Sequence, residues 1–255
     1  MKLSYRIFGE GQPLIILHGL FGSSDNWQTH AKKLSENYQV VLVDQRNHGH
    51  SGHSDEHNYD LMADDLLDLI AEEGMRDVII LGHSMGGKTA MRFAQKNGFL
   101  VKGLIIADMG IKSYPRHHDV IFKGLYNVDV ANCPSRKEAE ERLSVYVSEP
   151  STMQFLMKNM YWKEPGLLDW RFNLKALDNH IDEVLAALPD EEIDCETLFI
   201  LGGRSGYVTP NDFDSIRTII PSVQFETIEE SGHWVHAEAP VKFLELVEKF
   251  MVMHG

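Results

Sequence analysis

Positive charge is scarce in this chain: 24 lysines and arginines stand against 38 aspartates and glutamates, a formal net charge of −14. Nucleic acids and anionic membrane surfaces attract faces rich in Lys and Arg, so this balance argues against both as partners. Cysteine is scarcer still. Cys133 and Cys195 lie far apart with no metal-ligand spacing, which fits reduced thiols in a cytoplasm, and neither reads as a nucleophile. No segment approaches the roughly 18 consecutive apolar residues of a membrane span. Met1-Lys2-Leu3-Ser4-Tyr5-Arg6 lacks the apolar core of a signal peptide. A cytoplasmic protein without membrane insertion is expected. Internal repeats and low-complexity tracts are also absent.

What is present is an ordinary globular composition, 43% hydrophobic, over 255 residues. That length suits one α/β unit with a large core. Short β-type runs alternate with helical stretches, the pattern of βαβ units in a mostly parallel sheet. Strands are expected near Lys2–Phe8, Leu14–Leu17, Gln39–Val43, Val78–Leu81, Val101–Ala107, Thr197–Leu201 and Val223–Ile228. Fully apolar runs such as Leu14-Ile15-Ile16-Leu17 suit strands covered on both faces. Helices are expected over Tyr59–Glu72 and Met85–Lys96, and first helical turns at Pro210 and Pro240.

The stretch 111–189 breaks this rhythm. It has no convincing strand, and two capping boxes, Ser135-x-x-Glu138 and Ser151-x-x-Gln154, each predict a helix start. A block of about four helices between two sheet strands reads as a helical cap, with 1–110 and 190–255 forming the core. Its Met and aromatic residues (Phe122, Tyr126, Phe155, Met157, Met160, Tyr161, Trp162 and Trp170) could line a pocket, although packing of the lid onto the sheet explains most of them.

Gly82-His83-Ser84-Met85-Gly86 follows the run Val78–Leu81 and opens a helical stretch. A G-x-S-x-G segment between strand and helix is a nucleophile elbow: glycines relieve crowding in a strained turn, and the serine hydroxyl is lifted clear of the sheet. A serine needs a base, and imidazole titrates near working pH. His233, in Ser231-Gly232-His233-Trp234, follows the last strand by a few residues and so reaches the same carboxyl edge; His236 is the weaker rival. A carboxylate must hold that histidine. In a segment of the type G-x-x-D-x-x-V-x-P the expected acid would stand at position 205, yet the chain reads Gly202-Gly203-Arg204-Ser205-Gly206-Tyr207-Val208-Thr209-Pro210. Asp108 ends the apolar run Leu104–Ala107 at the same edge, and an aspartate there is costly to bury without a partner. It is taken as the acid.

Two backbone donors are needed for an oxyanion. Met85, after the serine, supplies one; the loop His18-Gly19-Leu20-Phe21-Gly22 supplies the other, at Leu20, with Phe21 as fallback. His18 reads as a loop brace, and the Asp44/Arg46 pair as a turn pin. His48, His50, His53 and His57 crowd one loop, but their spacing fits no standard zinc pattern, so no metal is expected. Phe21, Trp162, Trp170, Tyr207 and Trp234 are the candidate substrate-contacting residues.

These motifs, with Asp44–Ser51 and Gly232–Pro240, resemble the α/β-hydrolase superfamily across essentially the whole chain. More narrowly, His18–Ser23, Arg46–Gly49, Gly82–Lys88, Trp170–Asn173 and Gly232–Glu238 are similar to the YbfF-type esterases and the ABHD11-like hydrolases. The resemblance implies an α/β-hydrolase fold: a mostly parallel central sheet, helices on both faces, and a helical lid inserted after the sixth strand. It also implies hydrolysis of carboxylic esters of short to medium acyl chain, acyl-CoA thioesters among them, with no cofactor. In mammalian relatives the acid is assigned within the lid, but the matching position here reads as Lys175, so Asp108 stands. The partner is a small-molecule ester or thioester, with monomer and dimer both open. The alternatives are a C–C bond hydrolase or lyase on the same triad, for which Arg171 and Arg204 would bind carboxylates, and a catalytically weak small-molecule receptor.

Overall fold

A computed structural model describes residues 1–255. Its strands are β1 (Ser4–Phe8), β2 (Pro13–Leu17), β3 (Gln39–Asp44), β4 (Val78–His83), β5 (Val101–Ala107), β6 (Met160–Glu164), β7 (Leu167–Trp170), β8 (Glu196–Gly202) and β9 (Val223–Ile228). Seven of them form one sheet in the order β1-β3-β2-β4-β5-β8-β9. All pairings in it are parallel except β1 against β3. The helices are α1 (Gln28–Leu34), α2 (Tyr59–Glu72), α3 (Met85–Asn97), α4 (Asp119–Asn127), α5 (Arg136–Ser144), α6 (Pro150–Met157), α7 (Leu174–Asn179), α8 (Ile181–Leu185), α9 (Phe213–Ile219), α10 (Val235–Glu238) and α11 (Pro240–His254).

The pleat splits each apolar strand between two cores. Leu14, Ile16, Val40, Leu42, Ile79 and Leu81 pack with α1 and α11, whereas Ile15, Leu17, Val41, Val43, Val78 and Ile80 pack with α2 and α3. The second core continues without a break into Phe122, Leu125, Leu143, Leu156 and Trp170. The insertion therefore shares a core with the sheet.

Five strands precede that insertion, so it follows the fifth strand and not the sixth. The reason is that only one short antiparallel strand, β1, comes before the parallel set. Nor is the insertion all helical. Met160–Glu164 and Leu167–Trp170 form an antiparallel hairpin, turned at Pro165-Gly166 with Gly166 at φ +84. Ser135 does cap α5, its side chain accepting the Glu138 N–H. Ser151 is not a cap: α6 begins two residues earlier than expected, at Pro150, and Glu149 caps it by accepting from Ser151 and Thr152 N–H.

The two legs of the insertion run side by side. Tyr114 N–H donates to Leu185 O and Leu188 N–H to Ile111 O, each at 2.8 Å. Between them and the sheet lies Lys88 of α3, wholly buried, with Nζ donating to Lys112 O at 2.8 Å and to Ala186 O. With no carboxylate beside it, burial pushes its pKa down to about 7.

Candidate active site

The loops that leave the carboxyl ends of β2, β4, β5, β8 and β9 converge at the point where strand order reverses, the usual place for a site in an open α/β sheet. Pairing continues past the strand ends and fixes the turns there. Ser84 N–H donates to Ala107 O at 3.2 Å, and Asp108 N–H to Ile200 O at 2.9 Å. Ser84 and Asp108 thus stand side by side at the tips of β4 and β5.

Both are strained. Ser84 has φ +54 and ψ −120, and Asp108 has φ +49, conformations that cost a non-glycine residue about 1 kcal/mol or more. The elbow closes only because its flanks lack side chains. A Cβ on Gly82 would overlap Gly86 O, and one on Gly86 would overlap Leu17 O.

Asp108 is fully buried, and its carboxylate is filled with donors. Oδ1 accepts Gly202 N–H at 3.0 Å; Oδ2 accepts His233 Nδ1–H at 2.8 Å and the Ser205 hydroxyl. With Nδ1 donating, His233 Nε2 is left as the acceptor nitrogen. The ring is further held by Tyr207, stacked on it at 3.9 Å between centroids. The His233 backbone carbonyl accepts His83 Nε2–H at 3.0 Å. Burial holds His83 well below the ordinary imidazole range, so it braces as a neutral donor. Sequence reasoning passed over His83, which sits inside the G-x-S-x-G segment itself.

Ser84 and His233 line the same cavity, of about 400 Å³, though no hydrogen bond joins the hydroxyl to the ring in this state. Such bonds are often long before substrate arrives. Leu20, Phe21, Trp27, Ile121, Phe155, Tyr207 and Trp234 supply apolar lining. Of the expected substrate-contacting residues, Phe21, Tyr207 and Trp234 are therefore at the cavity. Trp162 and Trp170 are not. Trp162 lies on the outer hairpin, about half exposed, and Trp170 is buried and stacked on Phe172 at 5.3 Å, within the insertion. Of the cap aromatics, Phe155 reaches the cavity from α6. Trp27 and Ile121 carried no sequence pattern that marked them.

The loop after β2 is built on neutral histidines. His18 Nδ1–H donates to Gly19 O at 2.8 Å and Nε2 accepts Gln45 N–H at 3.0 Å. His48 Nδ1–H donates to Arg46 O at 2.9 Å and Nε2 accepts Phe21 N–H at 3.1 Å. Burial keeps both below the usual imidazole value. The Phe21 N–H is thereby spent, whereas Leu20 N–H meets no acceptor in the protein. Met85, the first residue of α3, has an N–H without an intrahelical partner.

Asp44 and Arg46 do not pair with each other. Asp44 accepts Ser24 N–H at 2.7 Å and His50 N–H at 2.9 Å, while Arg46 forks onto Asp65 of α2 at 2.6 and 3.0 Å. The short Asp44 carboxylate is consumed by loop amides before a guanidinium could reach it. No group of three or more His, Cys, Asp or Glu side chains converges on a metal-sized site. Lys175 lies against a separate crevice beside Asp129 and Trp170, and Arg171 rests on the Tyr161 ring at 4.4 Å; neither lines the cavity, and Arg204 is exposed. No helix is long and apolar enough to cross a membrane.

The chain is similar to known proteins along most of its length. A family model described as alpha/beta hydrolase fold matches residues 12–240. The sn-1-specific diacylglycerol lipase ABHD11 of Mus musculus is 35% identical over 263 residues, spanning 98% of this chain and 85% of its own. Esterase YbfF of Escherichia coli (strain K12) is 32% identical over 240 residues, spanning 94% and 92%. A solved marine microorganism esterase superposes with a TM-score of 0.95 at 38% identity, over 98% of this chain and 99% of that one.

Proposed function

This chain belongs to the α/β-hydrolase family and is a hydrolase of the esterase/lipase kind; from that premise we propose that it cleaves carboxylic esters of short to medium acyl chain through an acyl-enzyme at Ser84. The Ser84 oxygen attacks the acyl carbonyl while His233 Nε2 takes its proton. The Asp108 carboxylate holds Nδ1–H and offsets the charge of the imidazolium. The N–H groups of Leu20 and Met85 receive the negative oxygen of the tetrahedral intermediate. His233 returns the proton to the departing alcohol, and water repeats the sequence to release the acid. Thioesters, including acyl-CoA, would follow the same course with a thiol leaving.

The observation that carries this reading is the shared cavity. A strained serine and an imidazole held by a buried carboxylate face one space of about 400 Å³, within the range of small-ligand sites. Neither Arg171 nor Arg204 lines it, so the arginines that a C–C bond hydrolase would need for its carboxylate-bearing substrates are not at the cavity; Lys158 is its one lysine or arginine.

The test is turnover of p-nitrophenyl and CoA esters of graded acyl length by wild type and Ser84→Ala. Hydrolysis by the wild type alone supports the reading, and the chain-length profile names the acyl group. Equal rates in the two proteins would overturn it.

A further inference from the structure

The oxyanion loop is gripped from the cap. Gly22 N–H donates to Gly19 O at 2.9 Å, closing a four-residue turn with Phe21 at its third position. Phe21 has φ +59, where glycine or asparagine is the usual occupant of such a turn. A phenylalanine stays there only if its surroundings hold it. Two polar side chains do so, one on each side of the residue. His48 Nε2 takes the Phe21 N–H from the core side. Asn159, which links α6 to β6 in the cap, donates from Nδ2 to the Phe21 carbonyl at 2.8 Å.

Asn159 is 2% exposed, and the same Nδ2 donates to Phe155 O at 3.2 Å. Two carbonyl acceptors on one amide atom identify it as the nitrogen and lock the orientation. The Phe21 ring is wedged between Phe122 and Phe172, at 5.3 and 5.2 Å, so the cap holds this residue by backbone and side chain together.

We propose that Asn159 is a positioning residue for the hydrolysis: by holding the Phe21 carbonyl it keeps the turn in its strained form and aims the neighbouring Leu20 N–H at the oxyanion. The inference rests on the reading of Leu20 as an oxyanion donor. It makes the oxyanion loop competent only while the cap is seated, because the donor side chain belongs to the cap and the carbonyl to the core. An interaction realised only in the transition state is lost from kcat and not from KM.

The experiment compares wild type, Asn159→Ala, Asn159→Asp and Asn159→Gln on p-nitrophenyl butyrate at pH 8, with Tm recorded for each. Asn159→Asp keeps the volume but has no N–H to donate; Asn159→Gln keeps an amide. The expected result is a fall in kcat of about 10- to 100-fold in the Ala and Asp variants, KM within about threefold of wild type, and partial recovery in the Gln variant. Should the Ala or Asp variant fail to fold, His48→Leu, which offers no acceptor to the Phe21 N–H, releases the other end of the clamp, and the same kcat loss is expected there. A wild-type kcat in Asn159→Asp, or a change confined to KM, overturns this inference while leaving the hydrolase reading in place. Absence of Ser84-dependent turnover in the wild type overturns both.

Discussion

Ser205 Oγ donates to Asp108 Oδ2, the same carboxylate oxygen that accepts from His233 Nδ1. The serine at position 205, where the G-x-x-D pattern expects an aspartate, therefore lies against the Asp108 carboxylate. The tips of β5 and β8 thus meet beside one imidazole.

That proximity makes the acid movable. Asp108→Asn keeps the Gly202 contact but removes the charge, and kcat should fall by about 10³- to 10⁴-fold with the fold retained. Adding Ser205→Asp to that variant places a carboxylate beside His233 from β8, and at least about a tenfold recovery is expected. Steady-state kinetics on one ester checks both steps. A double variant no more active than Asp108→Asn would show that position 205 does not reach the ring.

The elbow should tolerate no side chain at its glycines. In Gly86→Ala the new Cβ overlaps backbone oxygens of the β2 loop, and backbone cannot step aside as a side chain would. Urea denaturation should report a loss of about 3 kcal/mol or more. Gly98 has open space around it and ordinary helical φ, so Gly98→Ala should be neutral or stabilising by about 0.5 kcal/mol. Similar losses for the two substitutions would refute the crowding argument.

Acid should unfold this protein through its buried imidazoles. His18, His30, His48, His57, His83 and His236 are all held below the ordinary value chiefly by desolvation, with His57 and His236 pushed down to about 3. In the unfolded chain they titrate near 6.5, so between about 3 and 6.5 the unfolded state binds more protons and stability rises with pH. Going downward, stability is kept to about 6.5 and then lost progressively. His57→Gln removes one such group and should lessen the drop between pH 7 and 4.5 by about 2 kcal/mol, read from denaturation curves at the two pH values. Equal drops in variant and wild type would contradict this.

Much of this arrangement was legible in the sequence because strand ends are. The apolar runs that stop at Leu81 and Ala107 put Ser84 and Asp108 at one edge, and Ser205 in the place of an acid pointed back to Asp108. Every expected sheet strand is present to within two residues at either end. The cap was less legible. The alternating Met160–Glu164 and Leu167–Trp170 flank Pro165-Gly166, a turn signal that the neighbouring helix caps mask. Trp162 and Trp170 illustrate why pocket lining fails from sequence: a hairpin shows one face to solvent and one to the core, and composition does not say which side meets the cavity. Asn159 left no signal, since its contact with Phe21 spans 138 positions and follows no period.

Lys88 gives the molecule a limit on modularity. One amine, a single turn beyond Ser84, ties both feet of the insertion to the helix that starts at the elbow. Grafting a foreign cap between residues 111 and 189 would therefore import two carbonyls that must meet an immovable donor. The footing has to be inherited as one piece with the helix that follows Ser84.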